Sequence, residues 1–180
     1  GPYRFFYQQG DNNDLVVFHS GGGACWENNT CGSAILNRVF PSVRSTFYPK
    51  IIVNADRLNV AKGVFDVNDP NNPYAKASKI YIPYCTGDVG WGNRDATYAY
   101  PPVPGMPAGN YTLHHRGYAN IRVVMEWLKR RVDRYGQPAK VMVGGTSAGG
   151  YAAIGSLFPE VAKVIDPRRS QFSVIGDSAN

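Results

Sequence analysis

The sequence has no long apolar run, few cysteines and no dense block of like charge. Its longest apolar runs, such as residues 15–18, have only about four residues, whereas a helix that spans a bilayer needs about 20. The 20 glycines and 13 prolines interrupt the chain too often for a coiled coil. With 43% hydrophobic and 13% aromatic residues, the 180-residue chain is not disordered, and it is long enough for one domain with its own core.

The net charge of +6 is scattered along the chain. Its densest group is Lys129-Arg130-Arg131, near the end of a predicted amphipathic helix, where cations interact favourably with the helix dipole. We interpret this triplet as a solvated helix end. The charge pattern therefore predicts no nucleic-acid partner.

Three cysteines leave one without a local partner. Cys25 and Cys31 flank a loop rich in glycine and asparagine and are close enough in sequence for a local disulfide. Metal ligation is the alternative, but there is no CxxC pair or histidine cluster to support it. Cys85 is either buried and free or paired outside this chain. A local disulfide favours a secreted or otherwise extracytoplasmic protein, and N-glycosylation sequons begin at Asn28 and Asn110, although such triplets often arise by chance.

Short apolar strands alternate with helical stretches, the pattern of an α/β fold with a mostly parallel sheet and helices on both faces. Strands are predicted at residues 3–8, 15–19, 79–84, 140–143 and 171–175. Helices are predicted at residues 33–40, 118–135 and 150–158, and Pro159 is expected to end the last of them. Residues 41–78 and 86–113 are predicted to be irregular.

The segment GTSAG, residues 145–149, matches the G-x-S-x-G pattern of a nucleophile elbow. It follows a predicted buried strand and begins a predicted helix, and the tight turn requires small residues beside the serine. A glycine-rich turn that binds phosphate without catalysis is the alternative. The strand–turn–helix context favours Ser147 as a catalytic nucleophile.

A second glycine-rich segment, HSGGG at residues 19–23, also follows a predicted strand. Acyl transfer passes through a tetrahedral oxyanion, which needs N–H donors directed at one point, and glycines let the backbone approach that point. Taken alone, the segment could be a flexible structural turn. Together with the elbow, it predicts an oxyanion hole formed by Gly22, Gly23 and Ala148.

Four segments together resemble the pectin acetylesterase and Notum family of serine esterases: VVFHSGGGACWENNTC, YIPYCTGDVGWG, HHRGYANIRVVMEWL and VMVGGTSAGGYAA. The likeness extends from residue 15 to the end of the chain. It implies an α/β-hydrolase fold, ester hydrolysis by a Ser-Asp-His triad, the same oxyanion groups, and a disulfide between Cys25 and Cys31. Many plant members have a cysteine where this chain has Thr146, which leaves the partner of Cys85 open.

The triad predicted by this resemblance is incomplete in the sequence. In α/β-hydrolases the acid and then the histidine follow the serine. The three histidines, His19, His114 and His115, all precede Ser147. The carboxylates that follow it are Glu160, Asp166 and Asp177. Asp177 lies in IGDSAN, which resembles the family's DSG segment after a strand, so we interpret it as a structural residue beneath the site.

We therefore expect the acid and the base outside residues 1–180, on a second polypeptide or a C-terminal segment. This chain would then be the nucleophile-bearing, N-terminal part of one α/β-hydrolase domain, and Asn180 would mark a cut. The alternative is that His115 acts as the base with Asp88 or Asp95, but a packing or capping role is favoured for it. His19 is expected to brace the oxyanion loop.

Trp26 and Trp91 lie in loops near the carboxyl ends of strands, where α/β proteins bind ligands. They either line an acyl or sugar pocket or simply cover the core. No cofactor or metal is implied. The sequence predicts a secreted serine esterase that forms an acyl-enzyme and deacylates a polysaccharide, a lipid-modified protein or another polymeric ester. The alternatives are a polyester depolymerase and an inactive binding module with the same fold.

Overall fold

A computed structural model of the protein describes residues 3–47 and 63–177. Its strands are β1 (Phe6–Gln8), β2 (Leu15–His19), β3 (Ser78–Ile82), β4 (Arg94–Tyr100), β5 (Gly109–His115), β6 (Lys140–Thr146) and β7 (Gln171–Asp177). Its helices are α1 (Asn28–Val39), α2 (Gly117–Tyr135), α3 (Ala148–Ala152) and α4 (Phe158–Val164), with a 3-10 turn at Gly63–Phe65 and a π-helical segment at Ala153–Leu157. Residues 48–62 of the predicted irregular stretch and residues 178–180 of IGDSAN lie outside the described residues.

Five strands form the main sheet in the order β1-β3-β2-β6-β7. The strands β3, β2, β6 and β7 run parallel, and β1 pairs antiparallel with β3 at one edge. This arrangement confirms the predicted α/β class and its mostly parallel sheet. Because the carboxyl ends of parallel strands meet at one edge of a sheet, the segments that follow β2, β3 and β6 are neighbours in space.

The strands are held in place by side chains that alternate between the two faces of the sheet. On one face, Leu15 and Val17 pack in a buried core with the apolar stripe of α2, which includes Ile121 and Leu128. On the other face, Val16 packs with Ala77 and Met142. Burying each large aliphatic side chain stabilises the fold by roughly 1.5–3 kcal/mol, so α2 is firmly docked. None of the helices within the described ranges is long and apolar enough to cross a membrane.

The stretch at residues 86–113 is not irregular throughout, and that prediction was wrong. Residues from β4 and β5 form an antiparallel hairpin in which Thr97 lies opposite Thr112. The hydroxyl groups of these two threonines are 2.9 Å apart. Only Tyr98 of β4 is buried, so the strand lacks the apolar alternation that predicts a half-buried strand. The prolines that suggested a loop lie in the connection between the two strands.

Two helix boundaries also differ from the prediction. The helix α1 begins at Asn28, ahead of the predicted start at residue 33. Pro159 does not end a helix, because it lies in the first turn of α4, which continues to Val164. Proline is tolerated there because the first N–H groups of a helix have no partner within the helix.

The basic triplet at residues 129–131 is only partly a solvated helix end. Lys129 and Arg130 are exposed, but Arg131 is only 4% exposed. Its guanidinium donates hydrogen bonds to Asn13 Oδ1 at 3.0 Å and Ser78 Oγ at 3.3 Å. The interpretation as a solvated end was therefore wrong for Arg131, which ties α2 to the amino end of the sheet.

Candidate active site

Ser147 occupies a strained turn between β6 and α3. Its backbone angles are φ 52° and ψ −125°, a conformation that residues other than glycine rarely adopt. The Ser147 N–H donates to the backbone oxygen of Asp177 at 2.6 Å, and the Ser147 carbonyl accepts from Gly150 N–H at 2.8 Å. Such strain costs about 1–3 kcal/mol and persists only where surrounding contacts enforce it. The local geometry is that of a nucleophile elbow.

The glycine loop, residues 20–25, packs directly against this elbow. A Cβ atom added to Gly21 would lie 2.9 Å from Ser147 Cβ. A Cβ atom added to Gly149 would overlap the backbone oxygen of His19 and lie 2.7 Å from that of Ser20. Only glycine at both positions allows the two main chains to approach this closely. The structure thus brings the two predicted glycine-rich segments together.

Among the described residues, no group occupies the three predicted oxyanion donors. Within that part of the chain, the N–H groups of Gly22, Gly23 and Ala148 donate to no other group, whereas Ala24 N–H donates to Thr46 and Cys25 N–H to Gly87. Ala148 is the first residue of α3, so its N–H has no partner in the helix. The assignment of these donors remains a prediction.

The structure contains the predicted disulfide between Cys25 and Cys31, which fastens the glycine loop to α1. His115 lies beside it: the two sulfurs and one of its ring nitrogens fall within 4.8 Å of one another. Both sulfurs are committed to the disulfide and are not thiolate ligands for a metal. Cys85 is exposed and forms no disulfide within this chain, so the alternative that it is buried was wrong, and a partner outside this chain remains a prediction.

His19 and Asp177 both act on the elbow through the main chain. The buried His19 ring donates from Nδ1 to the backbone oxygen of Ser20 at 2.8 Å, so it braces the glycine loop. Burial lowers the pKa of His19 to about 4, and the imidazole is neutral near pH 7. Asp177 holds Ser147 through its backbone carbonyl, which agrees with a structural role.

The hydrogen bonds of His115 agree with the packing role that is favoured for it. Its Nδ1 lies 2.7 Å from the carbonyl oxygen of Thr86, which can only accept, and its Nε2 lies 2.8 Å from the Tyr98 hydroxyl. Both ring nitrogens of His115 are therefore occupied. His114 is exposed and pairs with Asp95. No histidine in the described residues hydrogen-bonds to Ser147.

Residues 2–171 match the profile of the pectinacetylesterase family. This chain belongs to the pectinacetylesterase family. Among curated proteins it is similar to palmitoleoyl-protein carboxylesterase notum2 of Xenopus laevis, with 25% identity over 160 residues. That alignment covers 87% of this chain and 28% of the relative, so the chain spans less than a third of that relative's length.

Two crystal structures of the Drosophila Wnt deacylase Notum share the fold. The first has a TM-score of 0.62 at 20% identity and covers 96% of this chain and 44% of that chain. The second has a TM-score of 0.60 at 19% identity and covers 96% of this chain and 45% of the other. The family member described here therefore has an α/β-hydrolase-type fold.

In this member of the pectinacetylesterase family, Trp26 and Trp91 lie on the surface. Their exposed fractions are 68% and 55%. Both line an open groove of about 260 Å³ that also includes Cys25, Val89 and Arg94. The predicted alternatives were a pocket wall and a cover for the core. The structure places both tryptophans in one groove beside the glycine loop, and their contact with a substrate remains a prediction.

A carboxylate whose structural role the sequence did not predict, Asp88, organises the neighbouring loop of this pectinacetylesterase-family protein. Asp88 was considered only as a partner for His115, yet its hydrogen bonds come from Thr86, Gly90 and Gly117. Its sequence signal is weak, because Gly117 belongs to a different segment of the chain. The glycines that follow Asp88 closely are the only local indication.

Proposed function

We propose that this protein is a serine carboxylic-ester hydrolase. The main observation behind this proposal is that the glycine loop packs against the strained Ser147 elbow. In the described residues, three backbone N–H groups at this contact donate to no other group. Membership of the pectinacetylesterase family supports this reaction class. The names of its relatives, a palmitoleoyl-protein carboxylesterase and a Wnt deacylase, agree with it.

In the proposed mechanism, the Ser147 hydroxyl attacks the ester carbonyl carbon and the alcohol leaves from a tetrahedral intermediate. The N–H groups of Gly22, Gly23 and Ala148 donate hydrogen bonds to the oxyanion. Each such donor contributes about 2.7–4 kcal/mol to stabilisation of the transition state. Water then hydrolyses the acyl-enzyme. No step of this mechanism requires a cofactor or metal.

We propose a polymeric or lipid ester as the substrate, such as an acylated polysaccharide. The open groove supports this proposal, because Trp26 and Trp91 offer exposed aromatic faces to a large ligand that reaches beyond the reacting bond. The Cys25–Cys31 disulfide supports a secreted or otherwise extracytoplasmic protein. A polyester depolymerase is a further candidate for such an open site.

We propose that the acid and base of the triad come from a second polypeptide or a further segment that pairs with β7. No histidine follows Ser147 in the 180 residues. In the described residues β7 pairs only with β6, and its Val174 and Ile175 are 40% and 47% exposed. Tyr151 and Ile154 are also exposed, and Ile154 lies against Gly176 of the same strand. Exposed edge strands with apolar side chains are normally paired or covered.

Covalent labelling tests the proposed nucleophile. A fluorophosphonate should label the complete, folded protein, and peptide mass spectrometry should locate the label on Ser147. Ser147→Ala should abolish both labelling and ester hydrolysis. Labelling elsewhere, or hydrolysis that survives this substitution, would contradict the proposal.

An inactive binding module with the same fold is the second candidate. It is favoured by the lack of a histidine hydrogen bond to Ser147 in the described residues. If the complete protein contains a histidine and an aspartate that assemble with Ser147, it should hydrolyse a small chromogenic ester. A folded, complete protein that neither hydrolyses such esters nor reacts with the fluorophosphonate would be this binding module.

A further inference from the structure

Asp88 lies in the loop at residues 86–92, and main-chain groups enclose its carboxylate. The carboxylate oxygen Oδ1 accepts hydrogen bonds from the Thr86 hydroxyl at 2.6 Å and from Gly90 N–H at 3.0 Å. The other oxygen, Oδ2, accepts from the N–H of Gly117, the first residue of α2, at 2.7 Å. A Cβ atom on Gly92 or Gly117 would overlap a carboxylate oxygen of Asp88. The chain around Asp88 is therefore fitted to this one side chain.

The Asp88 loop holds the glycine loop. The carbonyl of Gly87, the residue before Asp88, accepts the N–H of Cys25 at 2.9 Å. Cys25 follows Gly22 and Gly23 closely, and the disulfide to Cys31 holds its side chain. A change in the position of Gly87 is thus transmitted to the proposed oxyanion donors through one hydrogen bond and a short piece of main chain.

The same loop also rests on the helix that follows Ser147. A Cβ atom on Gly90 would lie 3.0 Å from Ala152 Cβ, and one on Gly155 would lie 2.6 Å from Cζ2 of the Trp91 ring. Val89 has a φ of 59°, which is a true outlier for a β-branched residue. Such a conformation persists only when surrounding contacts enforce it. The hydrogen bonds of Asp88, together with the bond from Val89 N–H to the Tyr84 hydroxyl at 2.9 Å, supply that enforcement.

We propose that Asp88 is a positioning residue for the oxyanion hole. Its carboxylate fixes the Asp88 loop, Gly87 fixes Cys25, and the donors Gly22 and Gly23 stay directed at the carbonyl attacked by Ser147. This inference rests on the proposed esterase function, but it concerns the geometry of the hole. Asp88 does not touch the reacting atoms.

A triad-acid role for Asp88 fits the geometry less well. A triad carboxylate orients a histidine by accepting its ring N–H. The described hydrogen bonds of Asp88 come from one hydroxyl and two main-chain N–H groups, and His115 donates to Thr86 instead. Asp88 therefore holds the backbone of Gly90 and Gly117 in place and does not orient a histidine.

The test is Asp88→Asn in the complete protein. The amide keeps one acceptor oxygen but turns its NH2 group towards a hydrogen-bond donor, so the loop cannot keep all three bonds. We expect kcat to fall by roughly 10- to 100-fold with KM changed by less than about threefold, as for loss of an interaction made only in the transition state. Affinity for a trifluoromethyl ketone, which forms an oxyanion-like adduct on the serine, should fall in parallel with kcat/KM.

Asp95→Asn is the matched control. Asp95 is a carboxylate on the neighbouring strand β4, with exposed partners His114 and Arg116. This variant should keep the wild-type kcat and inhibitor affinity. If Asp88→Asn folds poorly, Thr86→Val removes a single hydrogen bond to Asp88 and should produce a smaller loss with the same kcat-against-KM pattern. Unchanged kcat and inhibitor affinity in folded Asp88→Asn would overturn the inference.

Hydrogen–deuterium exchange tests the inference with a measurement that does not depend on ester hydrolysis. In Asp88→Asn, exchange should become faster in peptides that cover residues 20–25 and 86–92, and it should stay unchanged in α4. Unchanged exchange at residues 20–25 would overturn the link from Asp88 to the glycine loop. Failure of the wild type to react with the fluorophosphonate would overturn the proposed function instead, so the two failures are distinguishable.

Discussion

At the carboxyl ends of β2 and β6, main chain packs on main chain, whereas side chains make the connections at the amino ends of the same strands. Gly21 and Gly149 permit the close approach at the carboxyl ends. At the amino ends, the Asp14 carboxylate accepts the N–H of Lys140 at 3.0 Å, and Arg131 bridges separate segments. Both ends are ordered, but by groups with different chemistry.

Strained residues therefore lie at one end of the sheet, and stabilising side-chain contacts lie at the other. In the described residues, Val89 and Ser147 are the residues other than glycine with positive φ, and both lie at the carboxyl ends of the strands. Within residues 3–47 and 63–177, that end also leaves the N–H groups of Gly22, Gly23 and Ala148 without acceptors. At the amino end, side chains such as Asp14 and Arg131 add hydrogen bonds to those of the backbone. Substitutions at the carboxyl end should therefore change activity most, and those at the amino end should change stability alone.

The largest effect is expected for Gly149→Ala. The new Cβ would overlap the His19 backbone oxygen, and relief of this overlap must push the glycine loop away from Ser147. We expect kcat to fall at least about 100-fold and the free energy of unfolding to fall by about 3 kcal/mol, as measured by ester hydrolysis and urea unfolding. Gly150→Ala is the graded comparison, because its Cβ would meet backbone atoms at 3.3 Å, where a shift of a few tenths of an ångström is enough, so its losses of kcat and stability should be smaller. Equal behaviour of the two variants would refute the role of close approach.

The next effect is a pH dependence from His19 at the carboxyl end. Burial lowers its folded-state pKa to about 4 from an ordinary value of 6.5, so the unfolded state binds more protons between these values. The stability that His19 provides is fully present above pH 6.5 and is lost as the pH falls towards 4, by up to about 3 kcal/mol. Urea unfolding of His19→Gln should show a flatter profile over this range than urea unfolding of the wild type. A wild-type slope in His19→Gln would exclude His19 as its source.

At the amino end, Arg131→Ala should destabilise the protein without changing its chemistry. The substitution removes the guanidinium that donates to both Asn13 and Ser78 and leaves Asn13 Oδ1 without its donor, which costs about 2 kcal/mol of unfolding free energy. The rate of fluorophosphonate labelling, measured well below the unfolding transition, should equal that of the wild type. Exposed Arg130→Ala is the neighbouring control and should stay within about 0.5 kcal/mol. A slower labelling rate in folded Arg131→Ala would break the proposed separation between the two ends.

The smallest effect measures the strain at Ser147 directly. Both Ser147→Ala and Ser147→Gly remove the hydroxyl, but only glycine adopts φ 52° at little cost. We expect Ser147→Gly to unfold with a free energy about 1 kcal/mol higher than Ser147→Ala, although glycine makes the unfolded chain more flexible. Chemical denaturation of the two inactive variants measures the difference. The opposite order would show that the turn is not strained.

The hydrophobic pattern was sufficient to predict β2 and α2, because β2 is a short continuous apolar run and the buried residues of α2 recur at the helical period. The G-x-S-x-G segment predicted the turn at Ser147, because few sequences satisfy so tight a geometry. The hairpin was missed because β4 buries only Tyr98. Arg131 and Asp88 were missed because their partners come from distant segments of the chain, which no local pattern can identify.

The π-helical segment at Ala153–Leu157 restricts which insertions and deletions this region can tolerate. Here the N–H of Phe158 donates to the carbonyl of Ala153, one residue further back than in an α-helix. Deleting one residue from this segment would rotate α4 by about 100° relative to α3. Glu160, which accepts a hydrogen bond from the Tyr118 hydroxyl at 2.9 Å, would then turn away from α2. The segment that follows the nucleophile should therefore have the same length in relatives. Insertions and deletions should instead occur in loops whose length does not set the orientation of a helix.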